Sequence, residues 1–299
     1  MILSDTLTKY TAQIISGIAN GTIYGLFALS IVFLFRANRL FNLAATSLAT
    51  FFAICMFFLL SHMGYFLAFA ITMVFAFCGG LILHFGLMRI VTERKQVLHS
   101  NETVVTIGLF TILNSLSSLL SDESQRFPTP FHESMFQLWG VNVPSHSFVI
   151  LGFAILTVFA LYLFLKFTRI GLVMEATAQN LTGARLNGIK TSNVLALAWG
   201  LTTAVSAAAG ILIAPVFFLS ADMLRNVFSY ALIAVVIGGL ESPFGAVVGG
   251  IVVGVVENLS TNLAFIGSEL KFLSVFFLLL LVLVIKPRGI WGREEHRRV

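Results

Sequence analysis

A few polar side chains set in apolar surroundings are all this 299-residue chain has for chemistry. Asn20, Thr22, Tyr24, Asn42, Thr46, Asn114, Ser117, Thr202, Thr203 and Ser206 interrupt apolar runs and offer hydrogen bonds to a zwitterion or a small polar solute. Serine and threonine on a helix also bond their own backbone, so no single one of them marks a site. Glu241, with Ser242 beside it, differs. A charge at the centre of a bilayer costs roughly 2.5–3.5 kcal/mol on insertion scales, and such residues face a cavity or a partner. At an inner surface the same carboxylate would simply be hydrated. Glu257 reads as a residue of the outer rim. The chain has no GxxxxGK[ST], HExxH or GxSxG pattern, and His84 lacks a second ligand at metal spacing. No catalytic residue and no metal site are therefore expected, and the chain reads as a non-enzyme. No cofactor is expected in it, and ATP with magnesium, if used, belongs to partner subunits.

Those side chains must be positioned by elements built for lipid. Hydrophobic residues make up 58% of the chain and charged residues 10%, with 24 glycines and 30 phenylalanines; mean hydropathy is +0.97. Soluble domains are nearer half apolar and a quarter charged. At about 20 apolar residues per span, the length allows roughly eight to ten helical elements and no separate soluble domain. The expectation is an all-α polytopic bundle forming one domain over residues 1–299. The charge-poor runs are Tyr10–Phe35, Leu40–Leu60, Tyr65–Met88, Thr103–Ser121, Ser147–Leu165, Asn193–Leu219 and Ile266–Ile285. Cys55 and Cys78 lie in such runs and read as inert core thiols. Met1 to Lys9 does not have the pattern of a cleaved signal peptide.

Val227–Glu257 is too long for one span, at about 46 Å as a straight helix. Gly238-Gly239-Leu240-Glu241-Ser242-Pro243 interrupts it, because proline removes a donor and disfavours helix at the preceding residue. A broken or re-entrant hairpin of two pieces of about 14 residues is predicted. Irregular backbone at membrane depth persists only where protein or water satisfies it, which points to a cavity and to transport.

Basic residues set the orientation. With the N-terminus outside, the inner side holds Arg36, Arg39, Arg89, Arg94, Lys95, Lys166, Arg169, Arg185, Lys190, Lys286, Arg288, Arg293, Arg297 and Arg298. The outer side holds Lys9, Arg126, Arg225 and Lys271, and the loop Asp122–His146 carries Asp122, Glu123 and Glu133. The positive-inside rule then requires the hairpin to return and the C-terminal tail to face the cytoplasm. This bias also accounts for the net charge of +5 without invoking nucleic acid.

Glycine spacing adds helix packing. Gly17, Gly21 and Gly25 recur every four residues, as do Gly245/Gly249 and Gly250/Gly254. Small residues let helix backbones approach in lipid, within one subunit or between subunits. The hydrophilic inner loop, about 166–191, has apolar positions at Leu172, Val173, Ala176, Leu181 and Ala184 that suit one or two short helices, with Gly183 and Gly188 as turn formers. Such a loop is either an ordinary basic connection or a socket for a soluble partner.

That loop, closing with Ala184-Arg185-Leu186-Asn187-Gly188-Ile189, resembles the coupling loop of ABC importer permeases, and most of all the branched-chain amino acid permease family. Three further stretches are similar to the same family: Gly17–Leu26, Gly238–Glu257 and Lys286-Pro287-Arg288-Gly289-Ile290-Trp291-Gly292. Where the family usually has Asn-Phe-Ala-His-Gly-Glu, this chain has Asn42-Leu43-Ala44-Ala45-Thr46-Ser47. The resemblance implies an inner-membrane permease subunit that works with a second related permease, two ATP-binding subunits and an extracytoplasmic solute-binding protein. It implies ATPase coupling through Arg169, Gly171, Glu175, Ala176, Ala184, Arg185 and Gly188. Asn20, Tyr24, Asn42, Thr46, Ser47, Glu241 and Ser242 are then path candidates for a branched-chain-like amino acid, a urea or an amide. The rival is an ion-coupled secondary transporter using Glu241; its signature is loss of transport in Glu241→Gln. The orientation has its own test: in intact cells, Arg297→Cys should resist impermeant thiol reagents, whereas ready labelling overturns a cytoplasmic tail.

Overall fold

An apolar run in lipid has only its own backbone to bond with, so helices are the expected product. The architecture is that of a computed structural model, which describes residues 2–39, 41–93, 99–121, 124–129, 135–138, 141–261 and 270–292. The helices in chain order are α1 (Ile2–Asn38), α2 (Ala45–Leu60), α3 (Tyr65–Leu83), α4 (Arg89–Glu93), α5 (His99–Leu120), α6 (Ser145–Phe167), α7 (Arg169–Gln179), α8 (Leu181–Leu186), α9 (Thr191–Phe217), α10 (Arg225–Gly238), α11 (Pro243–Ser260) and α12 (Lys271–Ile285). A π-helical turn, His84–Met88, joins α3 to α4. Among the described residues, six helical stretches are long and apolar enough to cross a membrane: Lys9–Ala37, Tyr65–Val91, Glu102–Leu120, Ser145–Phe167, Thr191–Phe217 and Pro243–Ser260. The polytopic helical bundle expected from the sequence is what forms.

Differences from expectation are local. The predicted Leu40–Leu60 span starts later, at Ala45, because the Asn42 carboxamide oxygen accepts from the Ala44 amide and turns the chain first. Within the expected Asp122–His146 loop, β1 (Met135–Leu138) pairs antiparallel with β2 (Val141–Pro144), in register Met135 to Pro144. Cys78 is exposed on α3, where a core thiol was expected. Arg94, Lys95, Asp122, Glu123, Glu133, Arg293, Arg297 and Arg298 lie outside the described residues.

The chain divides into two compact units, Met1–Val32 with Phe131–Val158 and Val227–Val299, and Phe33–Pro130 with Phe159–Asn226. In the first, α1 and α11 run antiparallel with their glycines interlocked. A methyl group on Gly17 would lie 2.7 Å from the Val255 Cα, and one on Gly21 2.6 Å from the Ile251 Cα. One on Gly250 or Gly254 would strike the α1 backbone at Gly25 or at Gly17 and Gly21. Gly245 and Gly249 face the other way, onto Gly238 and Ala234 of α10. The two glycine sets thus serve two different contacts, one per face of α11.

In the second unit α9 is the central helix, 67% buried over its most apolar window against 22% for α3 and 17% for α5. A helix apolar all round is a core helix, and the other two leave most of their surface for lipid. Contact with α9 again uses small residues. Gly80 of α3 meets the Gly200 Cα, Gly210 meets the Ala49 carbonyl of α2, and Ala44, Leu48, Phe52, Ala76, Leu109 and Ala207 form one apolar cluster. Pro215 sits in the last turn of α9, which ends at Phe218 with φ 60°.

These contacts predict that Gly21→Leu destabilises the chain by about 3 kcal/mol or more, because the intruded atoms are backbone and cannot rotate away. Gly152→Ala, where nothing lies within 4 Å, should change stability by less than about 1 kcal/mol and in the stabilising direction. Thermal unfolding in mild detergent checks both.

Candidate functional site

The break in the long apolar run is built from both ends. α10 stops at Gly238, and Gly239 adopts φ +103°, a conformation open to glycine at little cost. Ser242 caps α11, its hydroxyl accepting from the Gly245 amide at 2.9 Å, and Pro243 takes the first turn, where a missing amide costs nothing. Helix ends leave carbonyls without partners, and those of α10 are met by the chain's terminal segment. The Ile290 amide donates to the Ile237 carbonyl at 2.8 Å and the Trp291 amide to that of Gly238 at 3.2 Å. Gly289, at φ +80°, lets the strands approach: a side chain there would lie 2.6 Å from the Val236 carbonyl oxygen. Trp291 packs edge-on against Phe244, with ring centroids 5.9 Å apart. Two separate sequence motifs therefore form one object. Glu241 sits half-buried in the turn between α10 and α11. The second arm has 18 residues where 14 were predicted, long enough to cross.

The first unit also holds a polar pair that sequence reasoning did not join. Tyr24 donates its phenol hydrogen to the Glu257 carboxylate at 2.6 Å, and both residues are buried. Glu257, expected at the outer end of the hairpin, stands in the last turn of α11 and is buried there. The signal was available. Glu257 lies three residues after Gly254 and seven after Gly250, on the stripe that packs against α1, and Tyr24 stands in the same relation to Gly21 and Gly17. Side chains on a helix lean toward its N-terminus, so in this antiparallel pair the two lean toward each other. Asn20 is half-buried on α1.

In the second unit Asn42, Thr46 and Ser47 are all buried at the start of α2. Asn42 is engaged in its turn, and Ser47 donates to the Ala44 carbonyl. Thr46 is not bonded to its own backbone. Its hydroxyl, with those of Thr50, Thr202 and Ser206 on α2 and α9, has no hydrogen-bond partner among the described residues. Thr72, Thr157, Thr177 and Thr203, by contrast, all donate to a carbonyl one turn back.

The hydrophilic loop is two helices. Thr168 caps α7 by accepting from the Gly171 amide at 3.0 Å, and Asn180 caps α8 by accepting from that of Gly183 at 2.8 Å. Gly171 lets α7 turn back on α6: a methyl there would lie 2.5 Å from the Leu165 Cα. Gly188, at φ +79°, forms the expected turn, whereas Gly183 lies inside α8. Met174, Thr177 and Ala184 point inward. Ala176, Arg169 and Arg185 are exposed, and Ile170, Leu172 and Leu186 are apolar yet 45%, 63% and 84% exposed. Arg185 donates to Thr191, which ties α8 to α9. Glu175 faces a shallow crevice lined by Phe33, Arg36 and Ala37 of α1 with Leu165 and Met174.

The family model described as "Branched-chain amino acid transport system / permease component" matches residues 13–285. The chain is 37% identical over 145 residues to the high-affinity branched-chain amino acid transport system permease protein LivH of Salmonella typhimurium, a match spanning 48% of this chain and 46% of that protein. The chain thus spans about half the length of that relative. To BraD of Pseudomonas aeruginosa, a permease protein of the same description, it is 26% identical over 97% of its own length and 98% of the other's. Among solved structures, PsaBC from Streptococcus pneumoniae in complex with Fab aligns over 94% of the chain with a TM-score of 0.44 at 14% identity.

The docked terminal segment predicts that Gly289→Val weakens the cap by about 1–3 kcal/mol, since it adds bulk at a positive φ against a carbonyl. Amide exchange at Ile290 and Trp291 should then accelerate at least tenfold; unchanged protection would remove the segment from its role in holding the break.

Proposed function

The chain belongs to the branched-chain amino acid transport system permease family, and on that premise we propose that it is the membrane-spanning permease subunit of an ABC importer. The observation that carries the reading is the α7–α8 pair. It is capped at both starts, anchored through Gly171, Met174 and Ala184, and presents Ile170, Leu172, Ala176 and Leu186 outward among Arg169 and Arg185. A rigid pair with exposed apolar residues and a basic rim suits docking to a soluble subunit. Its crevice side reaches the end of α1, so a push on α7 passes to α1 through packed atoms.

The chain acts as one permease domain over residues 1–299 in the inner membrane, with its N-terminus outside and its tail cytoplasmic. It pairs with a second related permease and with two ATP-binding subunits, which hold ATP and magnesium, and receives solute from an extracytoplasmic binding protein. ATP binding draws the ATPases together, α7 and α8 follow, and the permease changes the side to which its path opens. The cargo is a branched-chain-like amino acid, with Asn20, Tyr24, Glu241 and Ser242 in one unit and Asn42, Thr46 and Ser47 in the other as path residues. The Ala45 and Ser47 positions, where the family carries histidine and glutamate, make the start of α2 uncharged here. This bears on which solute passes.

Ala176→Pro tests the coupling assignment. Proline in a helix interior costs about 3 kcal/mol and breaks α7 while leaving the spans intact. The variant should insert normally, lose the co-purifying ATPases in mild detergent, and reduce ATP-dependent leucine uptake at least tenfold. Wild-type uptake with α7 broken would refute the assignment.

A further inference from the structure

Glu257 carries more than a contact between α1 and α11. It is a carboxylate in the last turn of α11, beside Asn258 and Ser260 and after a long apolar run, and is 9% exposed. Among the described residues no basic side chain lies within ion-pair distance of it. Its hydrogen-bond partner is the neutral Tyr24 phenol at 2.6 Å, and the Tyr230 phenol of α10 also faces it. Tyr24 and Tyr230 stack with ring centroids 4.9 Å apart, and Phe272 of α12 lies 5.7 Å beyond Tyr230. Exposure rises along this aromatic row, from buried Tyr24 through half-buried Tyr230 to Phe272 at 46%. The interlocked glycines hold α1 close against α11 just before the turn that carries the carboxylate.

A buried carboxylate lacking a cation is costly unless a positive partner reaches it. Aromatic faces beside a carboxylate make the environment that suits an ammonium group, one supplying charge and the other the ring quadrupole. We propose that Glu257, with Tyr24 and Tyr230, is the subsite that receives the ammonium group of an amino-acid solute on its way through the permease. The proposal rests on the permease reading and adds what the path recognises. Tyr24 holds the carboxylate in place between passages, and the incoming ammonium takes over part of that hydrogen bonding while the ring row guides it inward. Specificity at this point is for the positive group and not for the branched side chain.

The transporter purified with its partner subunits, reconstituted in liposomes with ATP supplied to the ATPases, tests this with radiolabelled leucine. Glu257→Gln keeps an acceptor for Tyr24 but removes the charge, and it should cut uptake at least tenfold with partner subunits still co-purifying. Glu257→Asp should recover a measurable part of that loss, and Tyr24→Phe, which removes the hydrogen bond that holds the carboxylate in place, should raise the leucine KM severalfold with the partner subunits still co-purifying. Full uptake in Glu257→Gln, with Tyr24→Phe lowering the thermal midpoint at an unchanged leucine KM, makes the pair a structural staple and overturns the subsite. Wild-type leucine uptake that needs no ATP and follows an imposed proton gradient would overturn the permease reading itself, whereas ATP-dependent uptake unaffected by Glu257→Gln overturns only the subsite.

Discussion

Lipid offers no hydrogen bonds, and a helix broken inside a membrane-spanning protein must find partners for the backbone groups the break releases. Much of the first unit follows from how this chain meets that requirement. α10 ends with free carbonyls at Ile237 and Gly238, and the amides of Ile290 and Trp291 reach back about fifty residues in sequence to bond them. On the other side of the break, Ser242 and Pro243 start α11 with one amide satisfied by a hydroxyl and another position that has none to satisfy. The positive φ values at Gly239 and Gly289 mark where the two stretches pass each other closest. With the break closed in this way, α10 and α11 become two short rods with a fixed turn, which carry Glu241 between them and Glu257 near the far end.

The second constraint is that burying apolar surface does not drive helices together when lipid is equally apolar. Contact has to come from close approach, and both units achieve it with glycine and alanine: Gly17, Gly21, Gly250 and Gly254 in one, Ala49, Gly80, Gly200 and Gly210 in the other. Close approach has a chemical consequence. Where backbones nearly touch, a residue three positions after a stripe glycine is enclosed, and Tyr24 and Glu257 occupy those places. Packing and polarity are linked here, because the same stripe that joins two helices also removes a carboxylate from water.

The α7–α8 pair follows other rules. It is held by side-chain caps, Thr168 and Asn180, and by inward Met174 and Ala184, with no glycine ridge. Its outward apolar residues, Ile170, Leu172 and Leu186, are uncovered among the described residues. An element stabilised from beneath and left unpaired above can transmit force without being reshaped by it.

Much of this was legible in the sequence. Composition dictated the membrane, because no soluble core consists of so few charges and so many phenylalanines. Proline and paired glycines located the break to within a residue or two, since both act on the local backbone whatever surrounds it. The four-residue glycine periods announced close packing, and the hydrophilic loop was readable as short helices from its alternation. Tertiary structure decided what lay between distant segments. Sequence spacing names a stripe but not its partner, so only the fold assigned Gly250 and Gly254 to α1 and Gly245 and Gly249 to α10. Only the fold joined the Lys286–Gly292 motif to the end of α10, and only it paired Glu257 with Tyr24 in a buried hydrogen bond. The reason is physical: backbone preference and polarity are properties of a few neighbouring residues, whereas burial and partnership depend on which remote surface arrives.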